Sequence, residues 1–204
     1  MNVPSISECL ALMDRYAMLD NIREHSCIVA RVAEAIGTHL DLPCDTGCTP
    51  PDMALVRAGA LLHDIAKTKC LDGSCEHAEE GMLICQALGY PEIGRIVREH
   101  VILKNFSPDD CRRGIFNAGE LVYYADKRVR HDEIVSLDQR LDYIIDHYSR
   151  GSDYIKKRIR KNFAMCKELE SALFSYLPFA PGDLPQWVEK RPFTAEPVPD
   201  SGAC

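Results

Sequence analysis

No stretch of this chain alternates apolar and polar residues long enough to make a convincing strand. Nearly everywhere the apolar positions recur at three- and four-residue spacing. That pattern restricts the chain to an all-α fold. Ile6, Leu10, Met13 and Ala17 mark one face of a first helix. Asn21-Ile-Arg-Glu24 reads as a capping box opening a second helix to about His39, with Ile22, Val29, Val32 and Ile36 on its apolar face. Further helices are expected at about 52–67, 77–88, 91–101, 118–131, 137–148 and 153–177. Pro91 suits a first helical turn, and Ser136 with Gln139 forms a second capping box. By composition 42–51, 69–76 and 104–117 are loops, with Asp72-Gly73 and Ser107-Pro-Asp-Asp110 as turns. The expectation is a compact bundle of about seven or eight helices over residues 1–177.

Residues 178–204 differ. Pro178, Pro181, Pro185, Pro192, Pro197 and Pro199 argue against a regular helix there, and Phe179, Trp187 and Phe193 are spaced among them. An extended tail is expected, packed on its own subunit or on a neighbour, which permits a homodimer without requiring one. A chain of 204 residues suffices for one domain with its own core. No apolar run approaches the roughly 20 residues that span a bilayer. The first nine residues lack the basic-then-apolar order of a signal peptide, so a cytoplasmic protein without a membrane partner is expected.

Ten cysteines are many for such a chain. Cys27, Cys85 and Cys166 fall in amphipathic helical stretches and read as small core residues. Cys44 and Cys48 flank one loop and Cys70 and Cys75 another, but the spacing fits no structural zinc pattern well. Reduced thiols are the expectation.

The chemistry concentrates at the doublet His63-Asp64, inside the apolar stretch 58–67. His25 lies upstream of it, and His77, His100 and Asp126 lie downstream. Imidazole nitrogens with carboxylates are the donor mixture of catalytic transition-metal sites. One turn of backbone delivers both donor types at the doublet, and an Asp has two oxygens with which to bridge two ions. Lys67, a turn beyond, faces the same side and can meet a phosphate oxygen as a point charge. Lys104, four residues after His100, is a further candidate for substrate. His39, His131 and His147 sit on polar flanks or near helix ends and read as surface residues. The net charge of −7 speaks against a nucleic-acid polymer as partner. A small anion remains compatible, because bound cations outweigh a distant acidic surface.

Glu24-His25-Ser26, Leu61-Leu-His-Asp-Ile-Ala-Lys67, His77-Ala-Glu-Glu-Gly81, Arg98-Glu-His100 and Tyr124-Ala-Asp-Lys127 follow one another in an order that resembles the HD superfamily of metal-dependent phosphohydrolases. The resemblance covers roughly residues 20 to 130. Ile65-Ala66 stands where one large subgroup has Ile-Gly. The resemblance implies that His25, His63, Asp64 and Asp126 hold one metal, and that His77 and His100 add the pair that makes the site binuclear, with Asp64 bridging. The implied cofactors are two divalent transition-metal ions, Fe, Mn, Co, Ni or Zn. The implied activity is hydrolysis of a phosphoester or phosphoanhydride in a small, nucleotide-like phosphorylated substrate. A metal-bridging hydroxide would attack phosphorus, with Asp64 and Lys67 as the catalytic side chains. The stretch typical of the cyclic-dinucleotide enzymes is not found. Two rivals share the donor set: a di-iron oxygenase of the same superfamily, and a non-catalytic nucleotide-sensing module.

Overall fold

The computed structural model describes residues 1–43, 50–189 and 193. Cys44, Cys48, Pro192, Pro197, Pro199 and Cys204, with the expectations placed on them, lie outside the described residues. The fold is all-α. Its ten described helices exceed the expected seven or eight because two short ones form where a loop and a tail were expected. Both begin with Pro in the first turn, where the missing N–H costs nothing.

α1 (Ile6–Arg15) opens with a capping box between Ser5 and Glu8. α2 (Asp20–His39) starts without the capping box expected at Asn21. Its N-cap is Leu19, whose N–H donates to Thr68 Oγ1 at 3.1 Å, so a long-range bond ties this helix end to the segment after the doublet. α3 (Met53–Leu62) is capped by Asp52, which accepts from the N–H groups of Ala54 and Leu55. It was expected to run to Lys67 but ends at Leu62, and turns carry the chain onward. α4 (His77–Ala87) and α5 (Pro91–Glu99) form an antiparallel pair. The close approach is at Gly81, where a Cβ would lie 2.6 Å from Val97 Cγ1. α6 (Pro108–Arg112) replaces the expected turn.

α7 (Ala118–Arg128) is the central helix, buried on nearly all sides and capped by an Asn117–Glu120 box. A helix so enclosed must pair its charges. Arg128 donates to the Val135 and Pro181 carbonyls, to the Tyr124 hydroxyl and to Glu170. β1 (Val129–Arg130) and β2 (Glu133–Ile134) form a tiny antiparallel hairpin after α7, a strand pair too short to leave an alternating pattern. α8 (Leu137–Tyr148) has the expected Ser136–Gln139 capping box, and α9 (Asp153–Phe174) closes the bundle with Phe163, Cys166, Leu169 and Leu173 inside.

The described part of the tail lies on this body. Leu184 is fully buried, Phe179 nearly so, and Trp187 stacks on Phe179 at 4.6 Å beside His39. α10 (Leu184–Trp187) is a single turn within it, so the prolines exclude a long helix rather than every helix. Cys85 and Cys166 are buried and Cys27 is half-buried, as their helical positions suggested. The expectation of reduced thiols fails for one pair, because Cys70 and Cys75 form a disulfide. The loop returns on itself at Gly73 (φ +78°), with Asp72 Oδ1 accepting from the Ser74 N–H at 2.9 Å. This brings the two Cα atoms to 5.0 Å.

Candidate metal centre

Six side chains from three helices and the ends of two others converge. His25 comes from α2, His63 and Asp64 from the turn after α3, and His77 from the first position of α4. His100 follows α5, and Asp126 lies near the end of α7. Two of these positions share a construction. An α-helix leaves its last carbonyls without intrahelical partners. His63, just past α3, turns its Nδ1 back onto the Ala60 carbonyl at 2.7 Å. His100, just past α5, does the same to Val97 at 2.6 Å. A carbonyl only accepts, so Nδ1 carries the hydrogen. In the neutral ring Nε2 is then left as a lone pair projected beyond the helix end. The negative ends of two helix dipoles therefore point where a cation would sit.

His25 is held similarly, its Nδ1 donating to the His131 carbonyl at 3.1 Å. His131 is the first residue of the two-residue hairpin turn and has φ +56°, a backbone state unusual for a side chain of that size. Its ring is exposed, as its position near a helix end predicts, but its carbonyl orients a member of the centre.

The donor atoms have the spacing of a coordination sphere. Two ligands about 2.0–2.1 Å from one ion at the tetrahedral angle lie about 3.3 Å apart. Here His25 Nε2 is 3.1 Å from Asp126 Oδ1, and His63 Nε2 is 3.4 Å from Asp64 Oδ2 and 3.7 Å from Asp126 Oδ1. His77 and His100 Nε2 are 3.4 and 3.6 Å from Asp64 Oδ1 and 3.3 Å from each other. Two groups able to hold a metal ion result: His25, His63 and Asp64, and Asp64, His77 and His100. They share Asp64 and use its two oxygens.

The electrostatics agree with that use. Burial drives His100 down to about 3, with His63 adding to it, and burial also lowers His77. Both rings are neutral at neutral pH, as ligands must be. Burial also opposes the charges on Asp64 and Asp126, but neighbouring charges and hydrogen bonds win. His63 and Lys67 pull Asp64 well below the carboxylate range, and Lys127 and His25 do so for Asp126. On His63, Asp64 outweighs burial and raises the pKa. His63 Nε2 and Asp64 Oδ1 are buried with no hydrogen-bond partner among the described residues. Buried polar atoms rarely stay unpaired, and a cation fits both.

Lys67 Nζ meets Asp64 Oδ2 at 2.7 Å, as the turn spacing suggested. Its side chain is 34% exposed, so the centre is open on this side. Lys104 is exposed, 4.0 Å from Glu79 Oε1, and no contact joins it to the six donors. Lys127 stood in the motif but received no role. Its Nζ bridges Asp126 Oδ2 and the His100 carbonyl, both at 2.8 Å. Its only sequence signal is adjacency to Asp126. Arg140 of α8 was also missed; its Nη2 lies 4.0 Å from Asp126 Oδ1, and nothing local in the sequence marks it.

Residues 22–151 match the HD domain family, and that span contains all six donors. The chain belongs to the HD-domain family. HD domains are generally metal-dependent hydrolases, and this one carries His and Asp clusters able to hold metal. Among curated proteins it is 28% identical over 155 residues to a tRNA (cytidine(56)-2'-O)-methyltransferase of Picrophilus torridus. That match covers 69% of this chain and 40% of that protein, so the HD chain spans about two-fifths of the length of the curated relative it matches. No solved structure matches it. No helix among the described residues is long and apolar enough to cross a membrane.

Proposed function

We propose that this HD domain is a phosphohydrolase that holds two divalent transition-metal ions, one in each donor group, and cleaves a phosphoester or phosphoanhydride of a small nucleotide-like molecule. The observation that carries the reading is the pair of donor groups joined through the two oxygens of Asp64, with buried unpartnered atoms at their junction. Bound there, such ions lower the pKa of water and neutralise charge on phosphoryl oxygens. An imidazole-rich set favours Fe, Mn, Co, Ni or Zn over Mg or Ca.

The chain's own residues do the rest. The carbonyls of Ala60, Val97 and His131 fix three imidazoles with Nε2 inward. Lys67 orients Asp64 and, being partly exposed, is placed to meet a phosphoryl oxygen from the open side. Lys127 holds Asp126 charged and oriented. The methyl transfer named for the Picrophilus protein is not carried over, because most of that protein lies outside the match.

The test loads the purified chain with each metal in turn, counts bound metal, and measures phosphate release from nucleoside phosphates and dinucleoside polyphosphates. Two equivalents are expected in the wild type, about one in His25→Ala and in His77→Ala, and fewer still in Asp64→Ala. Turnover should fall by about a hundredfold or more in each. A panel that releases no phosphate, together with His63→Ala that still binds two equivalents, would overturn the reading. Dioxygen uptake in place of phosphate release would transfer the site to oxygenase chemistry.

A further inference from the structure

Three cations lie beside the donor set, and two are committed. Lys67 is paired with Asp64, and Lys127 divides its ammonium between Asp126 and the His100 carbonyl. Arg140 is different. Its side chain is only 12% exposed, yet its Nη2 stays 4.0 Å from Asp126 Oδ1, beyond hydrogen-bond reach. Its Nε is buried with no hydrogen-bond partner among the described residues. The Tyr143 ring lies 5.5 Å from the guanidinium carbon, a contact that steadies the plane without using any N–H.

A largely enclosed guanidinium with unused donors, beside a centre that attracts anions once it holds cations, is a receptor for two oxygens of one planar or tetrahedral anion. α8 also reaches the open side of the centre. Tyr148, the last residue of this helix, lies near Lys67, and its side chain is largely exposed. The helix thus flanks the donor set from Asp126 to Lys67.

We propose that Arg140 is an anion-binding residue of this centre, with α8 as the wall that presents its guanidinium to two oxygens of a substrate phosphoryl group. The identity of the anion rests on the phosphohydrolase reading; the binding itself needs no turnover. The neighbouring carboxylate of Asp126 repels an anion until a cation neutralises it, so phosphate should bind only the metal-loaded chain.

The probe is inorganic phosphate, titrated calorimetrically into the full metal-loaded chain and into Arg140→Gln, Arg140→Lys and Arg140→Ala, with metal content counted for each. Arg140→Gln should weaken phosphate about ten- to a hundredfold at unchanged metal content. Arg140→Lys should recover part of the loss, because one ammonium replaces a two-pronged donor. Millimolar guanidinium should restore phosphate binding to Arg140→Ala, an effect that a merely structural role would not produce. Wild-type phosphate affinity in Arg140→Gln overturns the inference. Loss of metal from that variant also overturns it, because Arg140 would then serve to hold Asp126. Arg140-dependent phosphate binding without hydrolysis of any substrate leaves this inference standing and removes the phosphohydrolase reading. Hydrolysis indifferent to Arg140 does the reverse.

Discussion

Replacing Lys127 by Met keeps its volume and stem but removes the charge that faces Asp126 from inside the bundle. The ammonium is 5% exposed and the carboxylate 10%, so neither recovers much hydration when the other is lost. Breaking such a pair from one side costs about 3–5 kcal/mol. Unfolding entropy of about 2.1 cal/mol/K per residue, taken over 204 residues, gives about 0.43 kcal/mol/K. The metal-free variant should therefore melt about 7–12 °C below wild type. An ion beside Asp126 supplies the missing positive charge. The deficit in the loaded protein should then shrink to about 1–2 kcal/mol, the worth of the lost bond to the His100 carbonyl, or about 2–5 °C. By linkage the variant binds that ion more tightly than wild type does. Thermal unfolding of both proteins, with chelator and with saturating Mn, measures all four states. An equal deficit in the two conditions would refute the reasoning, because Asp126 would then face no ion.

Gly81→Ala places a methyl 2.6 Å from Val97 Cγ1 and 3.3 Å from Ile65 Cγ2, forcing α4 away from α5. A loss of about 1–3 kcal/mol is expected, with weaker binding at the His77–His100 group; unchanged melting and unchanged metal affinity together would count against it. Glu120 is nearly buried, and burial raises its pKa despite the bond from the Asn117 N–H. Its carboxylate is therefore penalised in the fold. Stability is fullest below the ordinary Glu value and declines as pH climbs through the raised one. Glu120→Gln keeps the acceptor of the capping box without the charge, so in urea titrations it should gain on wild type between pH 4 and pH 7; a gap that narrows with rising pH would contradict this.

Most helices were legible because their signals are local. Ser136 with Gln139 set the start of α8, Pro91 opened α5, and the apolar face of α2 followed from spacing. The misplaced ends were those where a distant group intervenes. α2 begins at Asp20 and not at the Asn21 box, its N-terminal backbone tied to the Thr68 hydroxyl. α3 stops before the doublet, and the Ala60 carbonyl released there is taken by the ring of His63. Gly73 turned the 69–76 loop tightly enough to join Cys70 to Cys75, which spacing along the chain does not announce.

By itself the amino-acid order determined an all-α chain and named six candidate donors, because periodicity and residue type are written position by position. Only the tertiary structure decided which nitrogen of each imidazole faces inward, that the two oxygens of Asp64 serve different neighbours, that Lys127 holds Asp126, and that Arg140 stands beside them with unused donors. The joining of these groups depends on distances between residues 13 to 101 positions apart along the chain. Such distances are set when burying the apolar faces forces the helices together, and no local pattern records them.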